Sequence, residues 1–244
     1  MTIAAKISPD ELTAQVTNRF VGAYFEARLI NAPGTAYIPG VTNDAAFLAF
    51  EVTPGTGGYQ RSIISYGAGD VQAYSDDGVG LNQRAAVFAQ DGTATTIDFS
   101  HVALVWSTGN VLTVSTPSAA PASGVNGSYT SIPVEVVSGS GSNMTVDLVV
   151  TNGGVATTDY ALTVSKPGYG FVAADSLRIA NAELQSAGIT AEVTGDLTFT
   201  VATVSTASNA GDLLSVAQTA SSVSVSGGNE VAFYFNLKQF GYNA

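Results

Sequence analysis

The chain has 244 residues, with 8 Lys and Arg against 19 Asp and Glu, which gives a formal net charge of −11. Charged residues make up 11% of the sequence, against roughly 25% in an average soluble domain. Phosphate binding needs clustered cations, so we expect no nucleic-acid partner. The absence of Cys excludes disulfides, thiolate metal sites and cysteine nucleophiles, and the single His leaves little room for imidazole chemistry.

The N-terminal sequence MTIAAKISPDEL predicts a short helix. Ser8 can cap it, Pro9 suits its first position, and Asp10 and Glu11 suit the positive end of the helix dipole. This segment lacks the apolar run of a secretory signal, and no stretch approaches about 18 consecutive apolar residues. We therefore expect no export, no membrane partner and folding in a cytoplasm.

Residues 1–115 are predicted to form an N-terminal β-domain. In RFVGAYFEARLI, the apolar residues Phe25, Ala27 and Leu29 alternate with their neighbours, as in a strand with one buried face. FLAFEV, RSIISY, RAAVFA, TTIDFS and HVALVW are predicted as further strands, separated by the turn signals PGTGG, SDDGVG and QDG. This spacing is typical of a sandwich or barrel, and HVALVW is expected to be a central strand.

Residues 116–127, TPSAAPASGVNG, are predicted to be a linker because they are rich in Pro, Ser and Ala. A second β-domain is expected over residues 128–205, from IPVEVV, MTVDLVVT, YALTVS, DSLRIA, ITAEV and DLTFTVATV. The sequence thus predicts an all-β fold of two small sandwich-like or barrel-like domains.

The last segment, residues 206–244, is predicted to be a Ser/Thr-rich stretch followed by a C-terminal β arm. VAFYFNLKQFGYN alternates strongly. It could pair with its own domain, return to the first domain, or add a strand to a neighbouring molecule. If it adds to a neighbour, the residues expected to make assembly contacts are Val231, Phe233, Tyr234, Phe235, Leu237, Phe240 and Tyr242.

Two parts of the sequence resemble virion proteins of marine tailed phages, cyanophages included. GYQRSIISYGAGDVQAYSDDGVGLNQRAAVF and TIDFSHVALVWSTGNVL, between Gly58 and Leu112, resemble a β-domain of such proteins. The region from Met144 to Val204, with SKPGYGFVAADSL and a closing GDLTFTV strand, is similar to a β-repeat of cyanophage structural proteins. The resemblance implies a virion component made in the host cytoplasm, without implying its position in the particle.

Three carboxylates in GDVQAYSDDGVG, those of Asp70, Asp76 and Asp77, are weak candidates for a Ca²⁺ site, because hard cations prefer clustered oxygen ligands. Their spacing does not match the 12-residue calcium loop. Asp-Gly pairs are also ordinary turn residues, and a turn is the favoured interpretation. No cofactor is predicted.

His101 is the only imidazole, and we expect a structural role for it. Asp98 falls on the opposite strand face, and no G-x-S-x-G motif supplies a nucleophile. No catalytic residue is predicted, and we do not expect an enzyme. Carboxylate pairs that converge in space could still cleave a glycan.

Aromatic side chains could form a sugar-stacking surface, or they could belong to cores and strand edges. The candidates are Tyr59, Tyr66, Tyr74, Trp106 and Tyr129.

The expected function is that of a non-catalytic virion protein, a decoration or cement protein on the capsid. It would act through many weak contacts with the major capsid protein or tail proteins. A homo-oligomer is expected, with a trimer as one closed arrangement. The alternative is a tail-fibre or other tail module that binds a host glycan. A third hypothesis, less favoured than these two, is a host surface or filament protein.

Overall fold

The structure is a computed structural model that describes residues 9–38, 42–73, 78–190, 195–206, 211–235 and 237–240. These described residues form sixteen β-strands and three α-helices. The all-β class predicted from the sequence is therefore confirmed.

The chain divides into two compact units. The first unit is built from two separate segments, Met1–Trp106 and Gly211–Ala244, and the second is the continuous segment Ser107–Ala210. The strands of the first unit are β1 Tyr24–Ile30, β2 Ser62–Ser65, β3 Val71–Ala73, β4 Gly78–Leu81, β5 Arg84–Ala89, β6 Ile97–Trp106, β14 Leu213–Val225, β15 Glu230–Phe235 and β16 Lys238–Phe240. Those of the second unit are β7 Val111–Val114, β8 Gly127–Pro133, β9 Glu135–Ser138, β10 Ser142–Val150, β11 Tyr160–Tyr169, β12 Ser176–Ile179 and β13 Leu197–Val204.

These boundaries differ from those predicted, because residues 116–127 belong to the second unit and are not a free linker. Ala119 forms an isolated bridge with Thr198. The N–H of Gly124 donates to the Gly153 carbonyl at 2.7 Å, and that of Val125 donates to the Ile189 carbonyl at 2.7 Å. A Pro-rich, Ser-rich segment can thus be fixed by its backbone even though it supplies few core side chains.

The second unit is inserted into the first at a single place. Trp106 is the last residue of the outgoing segment, and its carbonyl accepts the N–H of Gly211, the first returning residue, at 2.9 Å. Within the second unit, the N–H of Ser205 donates to the Asn110 carbonyl at 2.8 Å. Both junctions are therefore held by backbone pairing, as expected where an insertion enters and leaves at neighbouring points.

The main sheet of the first unit has the order β14-β6-β1-β2, with every neighbour antiparallel. Strand β6 contains HVALVW and is central, as predicted, with both of its faces buried. One face of this sheet contributes Phe25 and Leu29 of β1 and Leu104 of β6 to the larger core. The other face contributes Ile30 of β1 and Val105 of β6 to a smaller core. Since both faces are covered, the alternating pattern of an exposed sheet is lost on β6.

The C-terminal strand completes the same unit, so it is not the free arm that the sequence suggested. Strand β15 pairs with β5 through six consecutive partners, from Glu230 opposite Ala89 to Phe235 opposite Arg84. Strand β16 pairs with β4 in a separate three-stranded sheet of order β16-β4-β3. The return to the first unit was one of the three arrangements left open.

The second unit consists of two antiparallel sheets with the orders β11-β10-β8 and β7-β13-β12-β9. Val146, Leu148 and Phe199 lie in its core. Phe171 packs so closely on Gly141 that an added Cβ there would lie 2.1 Å from the Phe171 ring. This contact explains the need for glycine at a position whose backbone conformation is otherwise ordinary.

Some predicted elements differ from the observed ones. The three helices are α1 Pro9–Phe20, α2 Asp44–Leu48 and α3 Asn181–Ser186. Helix α1 confirms the predicted helix. Helix α2 occupies part of the predicted FLAFEV strand, because the Asn43 side chain caps it by accepting the N–H of Ala46 at 3.0 Å. TTIDFS and HVALVW form a single strand, and most of ITAEV lies outside the described residues.

Candidate functional site

Asp70 is a structural carboxylate. Arg84 Nη2 lies 2.7 and 2.6 Å from its two oxygens, and the Gly67 N–H donates to Oδ2 at 2.8 Å. The hydrogen bonds from Arg84, followed by the one from Gly67, hold the pKa of Asp70 below its usual range. Its charge is already neutralised within the unit. Asp76 and Asp77, the other two weak metal candidates, lie outside the described residues.

The hydrogen bond between the Asp70 carboxylate and the N–H of Gly67, three residues earlier, has two equivalents in the second unit. Asp159 accepts the N–H of Ala156 at 2.9 Å, and Asp175 accepts the N–H of Val172 at 3.0 Å. In each case a buried carboxylate binds the backbone three residues earlier, as Asp70 does. Three of the 19 acidic residues of this chain thus close turns.

His101 is fully buried on β6, where its ring meets Phe47 edge-on at a centroid distance of 5.2 Å. Its Nδ1 lies 2.9 Å from Ser100 Oγ, while its Nε2 has no hydrogen-bond partner among the described residues. Ser100 Oγ also accepts the N–H of Ala32 at 3.0 Å. The Ser100–His101 pair is therefore part of the interior and is held by backbone groups.

The pKa of His101 is lowered because burial disfavours the charged ring. The interaction of the ring with the Thr35 backbone offsets part of this shift. Burial in the folded chain therefore favours the neutral form of this imidazole.

Among the described residues, the aromatic candidates for sugar stacking do not form an exposed platform. Tyr59, Tyr66 and Trp106 are buried in the larger core of the first unit, where Trp106 stacks on Phe20 at 5.7 Å. Burial also raises the pKa of Tyr66 to about 12. Of the other two candidates, Tyr129 donates its hydroxyl to the Val125 carbonyl at 2.9 Å, and Tyr74 lies outside the described residues.

Two carboxylates and two guanidinium groups of the first unit form a cluster, which we call the ion cluster: Glu26, Arg28, Glu51 and Arg61. Glu26 and Arg28 lie on the face of β1 opposite the larger core. Arg61 Nε and Nη2 donate to the two oxygens of Glu51 at 2.7 and 2.8 Å, and its Nη1 donates to Glu26 at 3.0 Å. Arg28 Nη2 donates to Glu26 at 2.7 Å.

The ion cluster is neutral overall and largely removed from water. The Glu26 side chain is 4% exposed and that of Arg61 is 23% exposed. The Tyr59 hydroxyl extends the network, donating to Glu51 at 3.1 Å and accepting the N–H of Leu29 at 3.0 Å. Each carboxylate is matched by guanidinium donors, so this arrangement fixes β1, β2 and the segment around Glu51 relative to one another. Sequence reasoning missed the cluster because its members are far apart in the chain.

The residues predicted to make assembly contacts separate into inward and outward groups. Val231, Phe233 and Leu237 pack against the larger core, and Phe235 is buried in it. Tyr234, by contrast, is 63% exposed. The backbone of Phe240 pairs with Gly78, but its side chain and all of Tyr242 lie outside what the structure describes. For the inward group, packing within the chain replaces the contacts expected with a neighbour.

Tyr234 belongs to an exposed surface of low charge, which we call the outer face: Ala85, Val87, Ala89, Glu230, Ala232 and Tyr234. These residues alternate with the buried positions of β5 and β15 and are all exposed. Glu230 is the one charged member. Val87, at 46% exposure, lies opposite Ala232, and Tyr234 lies opposite Ala85.

A shallow groove of about 230 Å³ is present on the second unit. It runs between β7 and β11 and carries no charged side chain; its lining residues are Leu112, Thr113, Val114, Leu162, Thr163 and Val164. Aliphatic and threonine side chains can bind apolar groups weakly, but they supply no acid, base or nucleophile of the kinds discussed above.

Comparison with protein-family models, with curated proteins and with solved structures finds no match to this chain. In the part of the chain that the structure describes, no group of three or more His, Asp and Glu side chains is arranged to hold a metal ion. No helix in these described ranges has both the length and the apolar character needed to cross a bilayer.

Proposed function

We propose that this chain is a non-catalytic structural protein of a phage virion, and specifically a decoration or cement protein on the outside of the capsid. Its partner is the major capsid protein, and its role is to bury surface on that lattice. The proposal builds on the sequence resemblance to virion β-domains. The structural observation that supports this proposal most strongly is the exposed outer face of β5 and β15.

The composition of the outer face suits a protein contact. Interface centres are depleted in charge and enriched in aromatic residues, and a tyrosine is a common energetic anchor. In a chain with a net charge of −11, a surface with five uncharged members and one Glu is a place where another protein can approach without strong repulsion. Short side chains such as Ala85 and Ala89 also lose little rotamer entropy on contact.

The mechanism is multivalent. A single outer face of this size gives a weak contact, but a capsid lattice presents the same partner surface many times. Chains that also contact one another would then bind the lattice far more tightly than one isolated chain. This mechanism needs stable surfaces and no reacting group.

The test is to label purified particles with an antibody against this chain and to locate the label by electron microscopy. Label spread over the heads is the expected result. Label confined to tails or fibres would overturn the decoration role in favour of the alternative tail module. Particles that carry no label would overturn the virion role altogether.

A further inference from the structure

Among the edge strands of the described residues, β15 is the least protected. Exposed edges offer unpaired N–H and C=O groups to other strands, and proteins usually blunt them with bulges, Pro, Lys or short length. Strand β14 carries a large register shift between Gln218 and Val223, and β8 carries one beside Ser131, whose φ is 56°. Strand β11 contains Lys166 and Pro167.

The remaining edge strands are protected by their length or their position. Strands β2, β7 and β9 have four residues each, and β3 and β16 have three. Strand β5 is flanked by β15 and approaches β2 on its other side. Strand β15, in contrast, pairs along six residues without a register shift and contains no Pro, Gly or Lys. Among the described residues, β5 is the only strand that pairs with it.

We propose that β15 pairs antiparallel with β15 of a second copy of this chain, about a twofold axis at Ala232. The two β5–β15 ribbons would then form one four-stranded sheet, β5-β15-β15-β5. Isolated two-stranded ribbons are marginal, and additional strands stabilise them. The inference goes beyond the proposed function, because it concerns self-association and would hold for a chain with no place on a particle.

The side chains of β15 complement themselves in this register. Ala232 faces Ala232 of the second copy, where a small residue is needed at the axis. Glu230 of each copy faces Tyr234 of the other, and Val231 of each copy faces Phe233 of the other. No charged or large side chain therefore faces its own equivalent. Cross-strand pairs of this kind stabilise sheets.

Charge selects the antiparallel orientation. A parallel pair in register would place Glu230 directly opposite Glu230, and like charges in opposed positions destabilise a sheet. The antiparallel pair separates them by four residues, or about 14 Å at the usual rise per residue. That distance exceeds the Debye length of about 8 Å at physiological ionic strength.

A twofold pair uses the same edge on both copies, so it closes as a dimer and leaves no further β15 edge exposed. It also doubles the outer face, because Val87 and Tyr234 of both copies would lie on one continuous sheet surface. The predicted state is therefore a dimer and not the trimer considered from the sequence.

The experiment measures the molecular mass of the purified full chain by light scattering over a range of concentrations. The expected result is a transition from 24.8 kDa to twice that mass. Ala232→Lys places two like charges at the axis and should weaken the dimer about tenfold or more. Ala85→Lys is the matched control, since it adds the same charge on the same outer face one strand away from the edge, and it should leave the dimer unchanged.

Cysteine cross-linking tests the same β15–β15 contact independently if Ala232→Lys perturbs folding. The natural chain has no Cys, so Ala232→Cys introduces a single thiol. Directly opposed residues of an antiparallel pair lie within disulfide distance, so this variant should form a covalent dimer on oxidation, and Ala85→Cys should not. A chain that is monomeric at all concentrations, or equal cross-linking of both variants, would overturn the proposal. A monomer that still labels capsids would refute only this inference, and a dimer absent from particles would refute only the proposed function.

Discussion

The two units place their principal ion pairs in different environments. In the first unit, the ion cluster joins residues from three sequence regions and is mostly buried, with Glu26 at 4% side-chain exposure. In the second unit, Arg178 binds Glu135 at 2.7 Å and Asp196 at 3.1 Å, but the Arg178 side chain is 43% exposed. Both groups connect neighbouring segments of a sheet. The first group is removed from water and the second is screened by it, so their contributions to stability should differ greatly.

The difference matches the way each unit is assembled along the chain. The second unit is continuous, and its core comes from residues 107–210 alone. The first unit is interrupted by that insertion and needs β14, β15 and β16 from the C-terminal segment. Its fold therefore depends on contacts between residues that are widely separated in sequence.

The largest expected effect comes from removing the last strands. A chain that ends at Asn229 loses Phe233 and Phe235 from the larger core, and deletion of one buried Phe side chain costs roughly 3–5 kcal/mol. Because whole domains are stable by only about 5–15 kcal/mol, we expect the first unit to unfold while the second unit stays folded.

Trp106 provides the readout for this truncation. It is the only tryptophan in the chain and is buried in the first unit. Its emission should shift to the red in the truncated chain, while hydrogen exchange should still protect the core of the second unit. A chain that ends at Phe240 serves as the control. Native Trp106 emission from the chain ending at Asn229 would contradict this account of the C-terminal strands.

A smaller effect is expected from Glu26→Gln. This change removes one of the two negative charges of the ion cluster and leaves Glu51 alone to balance Arg28 and Arg61, which should lower the free energy of unfolding by about 3 kcal/mol. Urea unfolding followed by Trp106 fluorescence measures it.

The matched change in the second unit is Glu135→Gln, which removes the exposed partner of Arg178. The urea midpoint of the second unit, followed by far-ultraviolet circular dichroism, should stay the same within error. Equal losses from the two substitutions would remove the contrast between the buried and exposed groups.

The smallest effect is the pH dependence contributed by His101. Its folded pKa is lowered, so at pH values below about 6.5 the unfolded chain binds a proton that the folded chain resists. Stability should therefore fall as the pH decreases from about 6.5 toward the folded pKa, by at most about 1.4 kcal/mol per pH unit.

His101→Gln should remove this part of the pH dependence, whatever it does to stability at neutral pH. Urea unfolding at pH 7.5, 6.0 and 5.0 compares the two chains. Parallel pH profiles for the natural chain and the variant would show that His101 is not the titrating group.

Sequence periodicity predicted the strands that have large alternating side chains, and it failed where tertiary contacts decide the conformation. HVALVW was recognisable as a central strand, and RAAVFA coincides with β5. Strand β14 was missed because LLSVAQTASSVSV is rich in small polar residues and resembles a loop, yet it pairs along β6. In FLAFEV, the cap from Asn43 and the burial of Phe47 outweigh the strand propensity.

The candidate surface was only partly predictable for a related reason. The alternation in VAFYFNLKQF separates two faces, but it does not say which partner covers the inner one. That partner is β5, about 145 residues earlier in the chain by the sequence numbering of the paired residues. Tyr234 was therefore grouped with Phe233 and Phe235, although only Tyr234 is exposed.

The most direct test of the central claim is the binding of purified chains to capsids that lack this protein. Val87→Glu adds charge to the outer face on β5, one strand away from the β15 edge, and Val155→Glu adds the same charge at an exposed position of the second unit, 71% exposed in the natural chain. Both variants should fold, and their occupancy on particles is measured by co-sedimentation. We predict that Val87→Glu lowers occupancy about tenfold or more while Val155→Glu binds like the natural chain. Equal occupancy for the natural chain and Val87→Glu would contradict the role assigned to the outer face.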